Sequence, residues 1–428
     1  MVHQEIVSPP VEPGRESPVP PPSRFIARQP ILNARRDVVA YELLSRTGWD
    51  NWYRGEKGEA TRRTLDHCVL AGTESLTRNQ LAFVNCTREA LVNRWVTLLP
   101  PKTTVLEILE TVPPDAELVQ ACVELRQMGY LLALDDFVPR PEMQPLLDLA
   151  SYVKVDFRRQ NAERRRQIHK MVRMSGSRAA LLAEKVEDQQ QFAIAREEGY
   201  KYFQGYFFCR PIVVADREIS ANKLNYLRLL AELARTPIKL QEVAQIVKME
   251  ASLCYRLLRL ANSALWGRRG EVASVIDAFM LVGEDRFRML VSVATSCQMG
   301  ENKTPALTSL SLERARFCEL MAPMIGENPA EQFMIGLLSL LDAMLGTPMA
   351  SVINFLPLRA EAKAALMGAT NQLAVPLCLI KSLESGEWDP CVATARTLDI
   401  SEEKLTGLYV ESLNWASESM ASTQQPGL

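Results

Sequence analysis

Between Phe25 and Ile212, short runs rich in β-branched and aromatic residues alternate with amphipathic segments, and nearly every run carries an acid or amide in or at the end of it. The runs are VVAYELLS (38–45), LAFVNC (81–86), TTVLEIL (103–109), LLALDD (131–136), YVKVDF (152–157), AALLAE (179–184) and KYFQGYFF (201–208). That rhythm predicts consecutive βα units around a parallel sheet. Units of this kind close into a (β/α) barrel, whose working residues stand on the rim where the C-terminal ends of the strands meet their loops.

After Val213 the pattern changes. Leu, Ala, Met and Arg dominate, apolar residues recur at i, i+3 and i+4, and no convincing strand follows. The expected fold class is therefore α/β plus all-α, a TIM-like (β/α) barrel over 24–214 followed by an all-helical domain over 215–418. Residues 1–23, with seven prolines in the first 22 positions, are too poor in large apolar residues to offset ordering entropy and are read as a tail. A second tail is expected at 419–428.

Composition narrows the function. Forty-nine basic and 51 acidic residues leave a net charge of −2, which provides no long-range field for nucleic acid or an anionic membrane. The one basic run, Arg158 to Arg173, lacks the interleaved aromatics of a nucleic-acid site and reads as a solvated helix face. The most apolar stretch, Phe333 to Leu345, is interrupted by Gly336, Ser339 and Asp342, so no spanning helix is expected. No secretory signal is readable, and a cytoplasmic location is expected. Nine scattered cysteines without a CxxC pair suggest neither a disulfide nor a zinc site.

The rim residues carry the chemistry. Glu42 lies in the first run, Asn85 in the second, Glu107 in the third, Asp135 and Asp136 end the fourth, Lys154 lies in the fifth, Glu184 ends the sixth and Gln204 lies in the seventh. Carboxylates inside apolar strands cost kilocalories to bury unless paired or metal-bound. Converging on one mouth, they raise one another's pKa unless a cation neutralises them. An all-oxygen set without His or Cys selects a hard ion such as Mg²⁺ or Mn²⁺. Two such ions could clamp a phosphodiester and activate a water. Taken singly, Glu42, Glu107 and Glu184 also read as salt-bridged strand-end carboxylates, Asp135 and Asp136 as a helix cap, and Lys154 and Arg46 as ion-pair partners.

Tyr41-Glu42-Leu43-Leu44-Ser45-Arg46 resembles the Glu-x-Leu-x-Arg signature of EAL domains, which bind and hydrolyse cyclic di-GMP. FVNCT, LEILET, DDF, VKVD, AEKVED, and QGY with the following Arg210-Pro211 resemble the later EAL motifs in order over 25–212. The resemblance implies that Glu42, Asn85, Glu107, Asp135, Asp136 and Glu184 ligate two Mg²⁺ or Mn²⁺ ions. It implies that Lys154 orients or deprotonates the attacking water, that Arg46 and Gln204 bind substrate, and that Glu110 anchors the loop after Asp136. Two departures stand out: Val138-Pro139-Arg140-Pro141 replaces a Gly-rich loop that couples dimerisation to activity, and Lys185 stands where the family has glycine. A homodimer is compatible with the resemblance.

LLRLANSALWG (257–267), VIDAFMLVG (275–283) and FMIGLLSLLDAMLG (333–346) resemble HDOD domains, relatives of the HD metal hydrolases. The three histidines, His3, His67 and His169, all precede this half, and Gly336-Leu337-Leu338-Ser339-Leu340 lacks the hydrolases' His-Asp pair. Metal hydrolysis there is excluded on ligand chemistry, leaving a module for an unidentified signalling partner. Asn262 and Ser263 read as a partner contact or a helix cap, and Trp266, Met280, Met289 and Met334 as a docking groove or core. Three readings stand for the whole chain: a Mg²⁺- or Mn²⁺-dependent cyclic di-GMP phosphodiesterase, an inactive EAL receptor or scaffold working through protein contacts, and a structural signalling adaptor that has lost the ligand altogether.

Overall fold

The computed structural model describes residues 24–47, 77–78, 80–208, 221–266, 272–300 and 304–424. The Pro-rich stretch 1–23 lies outside these residues. Eight strands close a barrel in the order β1 (Arg24–Asn33), β2 (Val38–Thr47), β3 (Leu81–Cys86), β4 (Thr104–Ile108), β5 (Leu131–Leu134), β6 (Tyr152–Asp156), β7 (Ala180–Glu184) and β8 (Tyr202–Gln204). The strand β1 corrects the seven-run reading, and it runs antiparallel to both β2 and β8, so the sheet is not wholly parallel. A tight turn makes the hairpin: the Asn33 carboxamide oxygen accepts from the backbone N–H of Arg35 and of Asp37, an Asx arrangement that substitutes for backbone pairing.

Strand periodicity then builds the site. Ala40, Phe83, Val105, Ala133 and Leu182, with Ile31 of β1, form a small buried apolar cluster inside the barrel. Side chains of a strand alternate between faces with a period of two, so the residues two positions further along β2, β3, β4, β5 and β7 share that inner face. They are Glu42, Asn85, Glu107, Asp135 and Glu184, with Lys154 two beyond Tyr152 and Gln204 two beyond Tyr202. An apolar layer thus closes the floor beneath a polar layer at the rim. The barrel helices Ala116–Gln127, Ala162–Met174 and Gln189–Glu197 start on Asp115, Asn161 and Asp188, each accepting from a backbone N–H of the first turn.

The second half is helical from Ala221 to Gln424 among the described residues. It shares a core with the barrel. One apolar cluster joins Leu32 and Leu43 of the barrel to Phe317, Leu383, Tyr409 and Leu413, while a second gathers residues from Tyr226 to Leu356 with Ala416 and Met420. Two ion pairs lie buried at the junction, Arg28–Glu313 at 2.8 Å and Arg314–Glu384 at 2.6 Å. The final helix, Glu402–Gln424, runs through much of the tail expected at 419–428, because Ser419, Met420 and Thr423 are buried against the protein. The apolar stretch from Phe333 to Leu345 is divided between two helices, Pro329–Leu338 and Leu341–Leu345. Among the described residues no helix is long and apolar enough to cross a membrane.

Candidate functional site

Seven of the rim residues meet at one point. The Lys154 ammonium lies 2.7 Å from Glu107, 2.9 Å from Glu184, 3.1 Å from Asp135 and 3.3 Å from Glu42. Asn85 donates to Glu42 Oε1 at 3.3 Å, and Gln204 donates to Glu42 Oε2 at 2.7 Å. Glu42, Glu107, Lys154, Glu184 and Gln204 are all buried.

This crowding sets the charge states. Burial, followed by the Glu42 charge, drives the Glu107 carboxyl well above the usual range. Burial also pushes Glu184 up to about 8, against the pull of Lys154. Glu42 goes the other way: burial disfavours its charge, but Lys154 and the hydrogen bonds from Gln204 and Asn85 hold it below the ordinary value. Burial likewise opposes the Lys154 ammonium, yet Glu107, Glu184, Glu42 and Asp135 together keep it well above its ordinary value. The cluster is a set of oxygens that demands a cation, with one ammonium meeting that demand.

The remaining expected residues divide. Asp136 accepts from Arg159 at 2.9 Å and has Lys185 4.0 Å away, so it is turned toward two cations rather than into the Lys154 cluster. Burial raises its carboxyl, with Lys185 opposing. Lys185 keeps a left-handed backbone at φ 53°, the conformation a glycine adopts freely, and its ammonium also pairs with Asp156. Glu110 is exposed on the turn after β4 and forms no ion pair among the described residues, so the anchor implied for it is not made that way here. Arg46 belongs to β2, but its side chain lies outside the described residues.

Two participants were not foreseen. Gln29 of β1 sits directly across the hairpin from Glu42, and its Oε1 accepts from Gln204 at 2.8 Å. Asp156, at the end of β6, accepts from the backbone N–H of Arg158 and Arg159 and pairs with Lys185. The signal for Gln29 was its register, legible only once the β1–β2 hairpin is recognised.

Among the described residues the helical half holds no equivalent cluster. Ser339, at the position of the missing histidine, donates to Gly336 O and accepts from Arg314 at 3.3 Å, which makes it a helix-end contact. Asn262 caps its helix, donating to Leu258 O and Val272 O. Trp266, Met289 and Met334 are buried, whereas Met280 is 76 % exposed.

An EAL domain model matches residues 63–211 and an HDOD domain model matches residues 223–349. YuxH of Bacillus subtilis is 34 % identical over 92 % of this chain and 98 % of its own length. The cyclic di-GMP phosphodiesterase CdgJ of Vibrio cholerae is 32 % identical over 92 % of each chain. The chain belongs to the EAL–HDOD family. Among solved structures, the EAL domain of Mycobacterium smegmatis DcpA is 20 % identical, with a TM-score of 0.36 over 43 % of this chain and 91 % of that one. The EAL match begins downstream of β2, so Glu42 and Gln29 are assigned to the site by barrel register.

A divalent cation fits this EAL–HDOD site by donor chemistry. Asn85 Oδ1, Gln204 Oε1 and Glu107 Oε2 are buried without a hydrogen-bond partner, and orphaned oxygens beside buried carboxylates are the donors a hard ion takes. Among the described residues no three His, Cys, Asp or Glu side chains stand at ligating spacing. Four carboxylates are instead gathered on the Lys154 ammonium.

Proposed function

We propose that this chain is a cytoplasmic cyclic di-GMP signalling protein whose barrel hydrolyses cyclic di-GMP to pGpG and whose HDOD half is a non-catalytic regulatory module. The observation that carries the reading is the convergence of Glu42, Glu107, Asp135 and Glu184 on one buried cation position at the strand C-termini, the rim on which barrel enzymes work. Family membership, with a relative named for this activity, supports the substrate class.

Glu42, Asn85, Glu107, Asp135 and Glu184 would hold Mg²⁺ or Mn²⁺, with Asp136 joining if it is released from Arg159. When bound, the ions would neutralise the phosphodiester charge and acidify a water. Lys154, held protonated by its four neighbours, is a donor that orients a water and a poor base toward it. Gln204 and Asn85 fix Glu42 in its ionised state, the form a ligand requires. The apolar layer beneath keeps bulk water from the floor, which strengthens every charge interaction above it.

Glu42→Ala should retain the wild-type circular dichroism spectrum and lose metal-dependent pGpG formation. Unchanged turnover in that variant removes Glu42 from the site.

A second reading rests on Asp136. Its ion pairs with Arg159 and Lys185, the latter replacing the family's glycine, favour a barrel that binds cyclic di-GMP without turning it over.

A further inference from the structure

The cleft above the Lys154 cluster has walls from both halves of the chain. Its volume is about 330 Å³, at the small end of the roughly 300–1,000 Å³ of ligand pockets. Glu42, Glu184, Gln204 and Leu44 line it from the barrel, and the segment Ser385–Trp388 lines it from the helical domain.

That segment is held in place by several independent devices. Helix Val375–Ser385 ends on Gly386 at φ 68°, and the Glu387 N–H returns to Ser382 O at 2.9 Å, the paired arrangement that reverses a chain after a helix. A Cβ on Gly386 would stand 3.0 Å from Leu44 Cδ1, so the helical backbone lies directly on the barrel rim. Gln29 Nε2 donates to Glu384 O at 3.0 Å, and the Glu384 carboxylate is gripped by Arg314. An unbroken path of hydrogen bonds thus leads from Glu42 through Gln204 and Gln29 to the end of this helix.

We propose that Ser385–Trp388 is the second wall of the cyclic di-GMP site, that Trp388 is an affinity-determining residue offering its indole to a purine base, and that nucleotide binding and the seating of the helical domain are therefore coupled. This rests on the barrel reading above. Base–aromatic stacking changes affinity by roughly ten- to a hundredfold per base. Coupling is reciprocal, so whatever the nucleotide does to the seating of helix Val375–Ser385, a partner that moves this helix does to nucleotide affinity.

The test uses the full chain and a hydrolysis-resistant bis-phosphorothioate analogue of cyclic di-GMP, with isothermal titration for affinity and hydrogen exchange for residues 382–397. The wild type should bind and slow exchange across 382–397. Trp388→Leu, which keeps an apolar contact but loses the ring, should bind about tenfold more weakly, and Trp388→Phe should fall between. If Trp388→Leu does not fold, Trp388→Phe and the exchange of the unaltered chain still decide. Wild-type binding with an unchanged Trp388→Leu affinity and no change in exchange overturns the proposal and leaves the barrel reading intact. Tighter binding by Trp388→Leu overturns it too, by making the segment a cap that the nucleotide displaces. No binding by the wild type overturns the barrel reading and this inference with it.

Discussion

Replacing Lys154 with alanine removes the charge around which Glu42, Glu107, Asp135 and Glu184 are drawn together. Removing one partner of a buried ion pair costs about 3–5 kcal/mol, because the other partner keeps its desolvation penalty. The lower figure applies here. Burial drives Glu107 well above the ordinary carboxylate range and pushes Glu184 up to about 8, so Glu184 is largely protonated at neutral pH, and a stranded carboxylate can itself neutralise by taking a proton. A loss of about 3 kcal/mol lowers Tm by roughly 4 °C when barrel and helical half, about 400 residues, unfold together. The same substitution vacates a cation position among oxygens, and an ion at a hundred times its Kd returns about 2.7 kcal/mol. Thermal unfolding in EDTA and in Mn²⁺ reads both effects: Lys154→Ala should melt below wild type in EDTA and recover most of the difference in Mn²⁺. Equal melting in EDTA, or no recovery with Mn²⁺, refutes the claim that these carboxylates require a cation.

Other outcomes follow from the same geometry. Glu184 titrates near 8, above its ordinary unfolded value, so the folded state binds the extra proton. The corresponding stability is full at acid pH and is lost as pH rises toward 8. A metal needs the ionised form, so Mn²⁺ affinity by titration should climb about tenfold per pH unit from pH 6 to 8 and then level off; a flat profile removes Glu184 as a ligand. Arg28 and Glu313 are buried across the two halves, with Tyr41 stacked on the guanidinium at 4.5 Å, so Glu313→Gln should lower stability by about 3–5 kcal/mol. With a core shared between the halves, scanning calorimetry should show a single transition, and two separated ones would contradict the shared core. Gly205 has φ 138° and a Cβ there would sit 2.2 Å from Val186 O, so Gly205→Ala should sharply reduce soluble yield. Wild-type yield and melting in that variant would contradict the close approach.

Much of this was legible from sequence because period-two alternation is a local property. Once Ala40, Phe83, Val105, Ala133 and Leu182 are read as inward-facing, Glu42, Asn85, Glu107, Asp135 and Glu184 follow at the next layer without any tertiary information. The strand β1 was missed for the opposite reason. RFIARQPILN carries Arg28, Gln29 and Pro30 in mid-strand, and the buried Arg28 is neutralised by Glu313, 285 residues away. No local pattern encodes that partner, and Gln29 went unrecognised along with its strand. The last helix was cut short because Ser419 and Thr423 are polar, yet both are buried. The core that runs through both barrel and helical half has no local signature either, because its contacts join residues hundreds of positions apart. The acidic rim was readable as a metal site, but its arrangement around Lys154 was not, because Lys154 lies in an apolar strand whose neighbours are fixed only by closure of the barrel.

Whether the rim performs hydrolysis is decided by incubating the purified chain with cyclic di-GMP and Mn²⁺ or Mg²⁺ and following pGpG and intact nucleotide together over time. If it does, pGpG accumulates as cyclic di-GMP disappears and EDTA stops both. Cyclic di-GMP bound and recovered intact, with no pGpG at any time, would contradict hydrolysis and make the barrel a receptor.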